Sequence, residues 1–121
     1  LSDLKLNKDD LLLIELDVLN LNEQHFSDTK SLGNNFYLSD WFGTFYVNHV
    51  NWIYHLDHGW IYLSQYDSQK GFWFWKQSLG WCYTSDEIYP FIFNQNVLDW
   101  FFYNSEMLRY YNYSIAQYEN L

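Results

Sequence analysis

An aromatic motif that occurs twice at a fixed spacing constrains the fold of this chain more than any other feature. Both copies read W-[IF]-[YW]-x4-G-W-x-Y, at residues 52–62 and 73–83, with their tryptophans eight residues apart and the copies 21 residues apart. A degenerate third copy runs over residues 92–102, and a weak earlier one over residues 44–52. Each copy is typical of a β-hairpin, because two short aromatic strands flank a polar turn whose glycine can adopt a positive φ before the return strand.

The alternation inside each copy predicts which side chains share a face of the sheet. The first and third residues of each short strand lie on one face and form cross-strand aromatic pairs. The middle residues point the other way and are also apolar: Ile53, Ile61, Phe74, Cys82 and Phe101. The tandem hairpins therefore predict an all-β fold, an antiparallel meander of about six to eight strands that forms a sandwich or a partly closed barrel. The predicted aromatic packing or glycan face consists of Trp52, Tyr54, Trp60, Tyr62, Trp73, Trp75, Trp81, Tyr83 and Trp100.

The composition changes along the chain. Residues 1–40 contain only three aromatic residues, whereas residues 41–113 contain all seven tryptophans. We therefore predict an N-terminal extension, residues 1–40, followed by an aromatic β-hairpin repeat domain, residues 41–121. Residues 19–38 are polar, with Asn20, Asn22, Gly33, Asn34 and Asn35 as breakers, and we expect turns there.

One segment of the extension has the pattern of a strand. Leu12, Ile14, Leu16 and Val18 alternate with residues that include two acids, Glu15 and Asp17, which favours a half-buried strand. A helix is the alternative, because leucines at positions 12, 16 and 19 also recur at helical spacing.

Charge and hydropathy exclude several classes of protein. With 15 Asp+Glu against 6 Lys+Arg, the net charge is −9, so we expect neither nucleic-acid binding nor a polybasic membrane surface. The chain of 121 residues is 49% hydrophobic, which suits one folded domain and not a disordered chain. No apolar stretch is longer than four residues, as at Leu11–Ile14, which is far shorter than a membrane span.

The titratable residues give no pattern that is typical of a metal site or of a reactive thiol. His49, His55 and His58 lie close together beside Asp57, and we expect exposed turn residues there and no metal site. Cys82 is the only cysteine, so no intrachain disulfide is possible, and its apolar neighbours predict a buried, inert thiol.

The paired acids also give no pattern that is typical of an active site. Asp86-Glu87 and the pair Glu15/Asp17 are expected on solvated faces, since such pairs arise by chance in so acidic a chain. The sequence contains no Ser-His-Asp elbow, phosphate loop or dinucleotide fingerprint. We therefore expect no enzyme and no cofactor.

Residues 41–113, about 60% of the chain, resemble a Trp/Tyr-rich tandem β-hairpin module found near the C-termini of large secreted or surface proteins of aquatic bacteria. The matching segments are Trp41–Tyr46, Asn51–Leu63, Leu79–Ser85, Tyr89–Phe93, Trp100–Tyr103 and Arg109–Tyr113. The chain departs from that module at residues 106–108, where Glu-Met-Leu replaces an expected Gly-Ser-Pro. The resemblance implies a secreted β-module and no activity. A looser similarity to choline- and glucan-binding repeats rests on aromatic hairpins of similar length.

The start at Leu1 without Met or a leader fits a processed product or a trimmed chain.

Three functions are compatible with a sheet that is aromatic on both faces. The first is a non-enzymatic, extracellular or cell-surface structural protein that assembles with copies of itself into a filament or surface layer, since interfaces favour aromatic residues and deplete lysine. In this hypothesis the segment with Leu12, Ile14, Leu16 and Val18 completes a neighbour's sheet by strand addition. The second is a module that binds a glycan or cell-wall polysaccharide through exposed Trp and Tyr. The third is a monomer whose aromatic pairs are all internal core.

Overall fold

The computed structural model describes residues 29–49, 51–66 and 71–121, which form strands and turns and no helix. The predicted extension strand at residues 11–19 lies outside the described residues. The strands are β1 Lys30–Gly33, β2 Phe36–Ser39, β3 Gly43–His49, β4 Trp52–His55, β5 Gly59–Tyr66, β6 Gly71–Lys76, β7 Gly80–Ser85, β8 Phe91–Asn94, β9 Asp99–Asn104, β10 Arg109–Asn112 and β11 Gln117–Glu119.

All these strands belong to one sheet, in which spatial order follows chain order. Every neighbouring pair from β1 to β11 is antiparallel, so the predicted all-β antiparallel meander of tandem hairpins is confirmed. The sheet is not closed, and β1 and β11 form its two edges. Eleven strands replace the predicted six to eight, because further hairpins form from segments that lack the Trp-Gly signature.

The two clear copies of the motif form the hairpins β4–β5 and β6–β7. Gly59 and Gly80 begin the return strands with φ of 76° and 77°, the left-handed conformation that glycine adopts without a steric penalty. The predicted cross-strand aromatic pairs form on one face: Trp52 lies opposite Tyr62, Tyr54 opposite Trp60, Trp73 opposite Tyr83 and Trp75 opposite Trp81.

The expectation of turns throughout residues 19–38 is wrong for its last part. Residues 30–39 form the hairpin β1–β2, and β2 pairs with β3 in the same sheet as the aromatic hairpins. Gly33, Asn34 and Asn35 have φ of 87°, 53° and 66°. These residues, read from the sequence as breakers, make the tight turn of a hairpin and do not end the sheet.

The inner face of the sheet encloses the hydrophobic core. The middle residues of the motif are buried, which assigns their face of the sheet to the core, and Phe42, Phe45 and Phe72 pack with them. Phe42, in the turn before β3, lies 5.3 Å between ring centroids from Phe72 of β6, and His58 contacts Tyr110 of β10. Strands far apart in the sheet therefore meet across its inner face, so the open sheet curls around its own core.

Candidate functional site: an aromatic outer face

The outward-facing side of the curled sheet is aromatic from β2 to β11. Inner and outer residues alternate along the strands, so the ring that follows or precedes each core residue is turned outward. We call this surface the outer aromatic face. Its members are Phe36, Tyr46, Trp52, Tyr54, Trp60, Tyr62, Trp73, Trp75, Trp81, Tyr83, Phe91, Phe93, Trp100, Phe102, Tyr111, Tyr113 and Tyr118.

Rings of the outer aromatic face pack on one another within and between hairpins. Tyr54 and Trp60 lie edge to face at 5.3 Å between centroids across the β4–β5 hairpin. Trp52 lies 6.2 Å from Trp75 and so joins that hairpin to β6. Such edge-to-face pairs stabilise a sheet surface by about 0.5–1.5 kcal/mol each. The rings therefore pack in clusters, within and between neighbouring hairpins, and are not isolated side chains.

The outer aromatic face is partly open to water. In the part of the chain that the structure describes, every exposed aromatic side chain lies on the outer aromatic face, each 37–47% exposed: Trp52, Tyr54, Trp60, Trp81, Phe91, Trp100, Tyr113 and Tyr118. Charges are scarce on it, since none of the outward-facing side chains described from β4 to β8 is charged. An aromatic surface without charge can associate with another apolar surface or stack on sugar rings.

All nine residues of the predicted aromatic packing or glycan face lie on the outer aromatic face. The sequence-based set omitted rings of the later strands, mainly Phe91, Phe93, Phe102 and Tyr118. Their signal was present but weak, because the third copy of the motif carries Phe in place of Trp and Tyr. The other predicted assembly residues, Leu12, Ile14, Leu16 and Val18, lie outside the described residues.

A buried His–Tyr cluster lies on the opposite, inner side of the sheet. His58 Nδ1 and the Tyr110 hydroxyl are 2.5 Å apart, and His58 Nε2 and the Tyr89 hydroxyl are 2.7 Å apart. A neutral imidazole satisfies both contacts, since one ring nitrogen donates and the other accepts. Burial lowers the pKa of His58 well below its usual value, and the neighbouring His55 and Lys76 act in the same direction. His58 is therefore a neutral structural link between the β4–β5 turn and β10.

His55 is also buried, and it caps the turn that contains His58. Its Nδ1 accepts hydrogen bonds from the backbone N–H groups of Asp57, at 3.0 Å, and His58, at 3.3 Å. Since Nδ1 accepts, Nε2 carries the proton and donates to the Phe42 carbonyl at 2.5 Å. Burial lowers the pKa of His55 as well. The prediction that these histidines are exposed turn residues is therefore wrong for His55 and His58, because the turn folds inward beneath Phe42.

The other titratable residues that the sequence singles out are His49, Cys82, Asp86 and Glu87. No group of three or more His, Cys, Asp or Glu side chains among the described residues could hold a metal ion, and the His49 side chain is not among those described. Cys82 is buried as predicted, and burial raises the pKa of its thiol to about 12. Asp86 and Glu87 are exposed, as predicted.

A polar pocket opens at one end of the curled sheet. We call it the strand-end pocket, and its volume is about 640 Å3. Tyr103 donates a hydrogen bond to Asp57 Oδ1 at 3.3 Å, and burial together with that carboxylate raises the pKa of Tyr103 to about 12. The groups that give the pocket its polarity and its flat surfaces are Asp40, Trp41, Asp57, Tyr89, Tyr103 and Glu106. Carboxylates beside aromatic rings suit a polyhydroxylated ligand better than a phosphate.

The described residues contain no helix of the length and hydropathy that crossing a membrane requires. The resemblance to a secreted aromatic module stays a prediction. No protein family, no curated protein and no solved structure was found to match the chain.

Proposed function

We propose that this chain is a non-enzymatic structural subunit that assembles with copies of itself into an extracellular filament or surface layer. The observation that carries the proposal is the outer aromatic face, on which eight rings are each about two-fifths exposed. An open sheet with an apolar outer surface leaves apolar area in water, and contact with a second apolar surface removes it.

The exposed aromatic area has the size of an interface. At about 150–250 Å2 of surface per aromatic side chain, eight such residues at two-fifths exposure leave roughly 500–800 Å2 in water. The largest apolar patch on a typical monomer is about 300–600 Å2. A stable protein interface buries about 800 Å2 on each partner. The area therefore favours a protein partner, and a second copy of the chain offers the same surface.

Charge modulates this association. The chain carries a net charge of −9, so copies repel one another at long range even though the outer aromatic face between β4 and β8 is uncharged. Salt screens that repulsion and leaves the apolar contact in place. The apolar contribution of the outer aromatic face to assembly is therefore expected to strengthen, and not weaken, as ionic strength rises.

Light scattering over a hundredfold dilution, with negative-stain images of the same samples, tests the proposal. We expect ordered assemblies or a mass far above the 14.9 kDa of one chain. Trp60→Ala and Trp81→Ala each remove a half-exposed ring from the outer aromatic face and should lower the assembled fraction. Leu98→Asn is the matched control, because it removes an exposed apolar side chain from a turn outside that face. A wild-type chain that stays at 14.9 kDa throughout overturns the proposal.

Strand addition by residues 11–19 is a separable part of the same proposal. The sheet has two edges, β1 and β11, and an extended segment from a neighbour can pair with such an edge. Deletion of residues 1–20 is expected to leave soluble subunits if a donated strand is required. Assembly that is unchanged by the deletion would show that the face alone suffices.

Binding to a glycan or cell-wall polysaccharide is the second candidate, and the strand-end pocket is the observation that favours it. Its volume lies in the range of about 300–1,000 Å3 that is usual for small-ligand sites. An insoluble-polysaccharide pull-down separates the two possible surfaces. Loss of binding in Asp57→Ala would indicate the pocket, and loss in Trp60→Ala and Trp81→Ala would indicate the outer aromatic face, provided that each variant keeps its fold.

A further inference from the structure

A second pocket interrupts the outer aromatic face near its C-terminal strands. It has a volume of about 530 Å3 and is lined by Glu87, Ile88, Phe91, Asp99, Trp100 and Tyr113. The Phe91 and Tyr113 rings are near parallel, with an interplanar angle of 24° and centroids 6.5 Å apart. We call it the aromatic–acid pocket, because its walls are rings and its charged groups are two carboxylates.

The lining of the aromatic–acid pocket selects a cation with N–H groups. Aromatic faces attract a cation within about 6 Å of the ring centroid. Two carboxylates and no Lys or Arg line the pocket, so its charge is negative. A planar guanidinium satisfies both features, because it stacks on a ring while two of its N–H groups donate parallel hydrogen bonds to a carboxylate. A quaternary ammonium carries no N–H and could donate no hydrogen bond to either carboxylate, of which Asp99 Oδ1 already accepts the backbone N–H of Trp100 at 2.7 Å.

The chain supplies one arginine, Arg109. It begins β10, its side chain is exposed, and it forms no ion pair with any other described residue. An exposed arginine that pairs with none of the described acids is available to a second molecule.

Arg109 cannot fill the pocket of its own chain. It lies opposite Asn104, at the end of β9, whereas Asp99 begins that strand. At about 3.3 Å per residue, the two ends of β9 are roughly 16 Å apart, which exceeds the length of an arginine side chain. Tyr113 follows the far end of β10 and lies with the pocket. The arginine and the aromatic–acid pocket therefore sit at opposite ends of the same two strands.

We propose that Arg109 of one subunit inserts into the aromatic–acid pocket of the next. This inference rests on the proposed self-assembly and specifies its contact. Two different surfaces meet at opposite ends of the molecule, so the contact is heterologous and repeats along the direction of β9 and β10. A heterologous contact that does not close into a ring propagates as a filament.

Two variants with complementary defects test the contact. Arg109→Ser removes the inserted side chain and keeps the pocket, whereas Glu87→Lys combined with Asp99→Asn changes the pocket from two negative charges to one positive charge and keeps Arg109. Each variant alone is expected to need an about hundredfold higher concentration for assembly than the wild type. An equimolar mixture is expected to form dimers of twice the 14.9 kDa chain, because it contains one intact pocket and one intact arginine for each pair.

Light scattering and native mass spectrometry read the outcome, with circular dichroism and thermal unfolding as checks that both variants keep the fold. Arg109→Lys retains the charge without the planar fork and should fall between the wild type and Arg109→Ser. The inference is overturned if Arg109→Ser assembles like the wild type, or if the mixture stays monomeric. A wild-type chain that does not assemble refutes the proposed function itself, so the two failures are distinguishable.

Discussion

At the scale of single residues, the hairpins depend on left-handed backbone positions at the ends of their turns. Only some of these positions carry glycine, whose missing Cβ removes the steric penalty. Leu98, Leu108 and Ala116 adopt φ of 53°, 54° and 54° at the end of the last three hairpin turns. The side chains of Leu98 and Leu108 are 73% and 66% exposed, so the packing of these side chains offsets little of the backbone strain. These turns are therefore places where the sequence is not optimal for its own fold.

Leu98→Gly is expected to stabilise the protein by about 1 kcal/mol, because glycine removes the left-handed strain at the expense of a smaller loss of backbone entropy. Thermal or denaturant unfolding measures the change. Val97→Gly is the matched control, since Val97 is the adjacent exposed residue and does not have a positive φ. That control should destabilise. Equal effects of the two substitutions would show that the strain at Leu98 is negligible.

At the scale of the hairpin, the last residue of several outgoing strands caps the following turn. In each case a side-chain acceptor receives the backbone N–H of the residue two or three positions later. The capping residues are Ser39, His55, Asn94, Asn104 and Asn112. His55 thus occupies a position that Asn takes in later hairpins. This recurrence explains how hairpins without the Trp-Gly signature still close in the same geometry.

Asn94→Ala is expected to destabilise the protein by about 2 kcal/mol, and Asn104→Ala by about half as much or less. Asn94 is buried, accepts from the N–H of Asn96 and Val97, and donates to the Leu79 carbonyl at 2.8 Å. Asn104 accepts two equivalent bonds in a more exposed turn. Urea unfolding of both variants measures the difference, and equal losses would contradict this ranking.

The hairpins could be predicted from the sequence to different extents. Tryptophans eight residues apart around a glycine predicted the hairpins β4–β5 and β6–β7 and the side chains that share a face in them, because turn and alternation are local properties. The hairpins β1–β2 and β10–β11 were missed or left as an extension of the pattern. Their turns use Asn34, Asn35 and Ala116 at positive φ, and outside a repeat such residues do not distinguish a hairpin turn from a loop.

At the scale of the whole molecule, the curl of the sheet creates buried polar contacts between distant strands. His58 joins the β4–β5 turn to Tyr89 and Tyr110, which lie 31 and 52 residues further along the chain. Burial raises the pKa of both tyrosines and lowers that of His58, so all three groups stay neutral near pH 7. The interior of the sheet is therefore uncharged where His58 contacts Tyr89 and Tyr110.

Stability is expected to fall as the pH decreases from 8 to 5. His55 and His58 have lowered pKa values in the folded chain, so below about pH 6.5 the unfolded chain binds protons that the folded chain does not. Each histidine then contributes a loss of up to about 1.4 kcal/mol per pH unit, until its folded pKa is reached.

Thermal unfolding between pH 8 and pH 5 measures this dependence. His55→Asn should retain the turn cap, as Asn does in the later hairpins, and should show a weaker dependence on pH because one buried titrating group is gone. A wild-type midpoint that does not change over this range, or a variant with the same slope as the wild type, would contradict the buried neutral histidines.

The sequence by itself determined the hairpins that carry the aromatic motif, the antiparallel sense of their pairing and the side chains that share a face of the sheet. These follow from period-two alternation and from turn residues, which act over fewer than ten residues. Only the tertiary structure decided that the sheet curls without closing, which face is buried, and which groups meet in the His–Tyr cluster and the two pockets. Those contacts join residues tens of positions apart, and the aromatic pattern is apolar on both faces. Local patterning therefore could not assign one face to the core and the other to a partner.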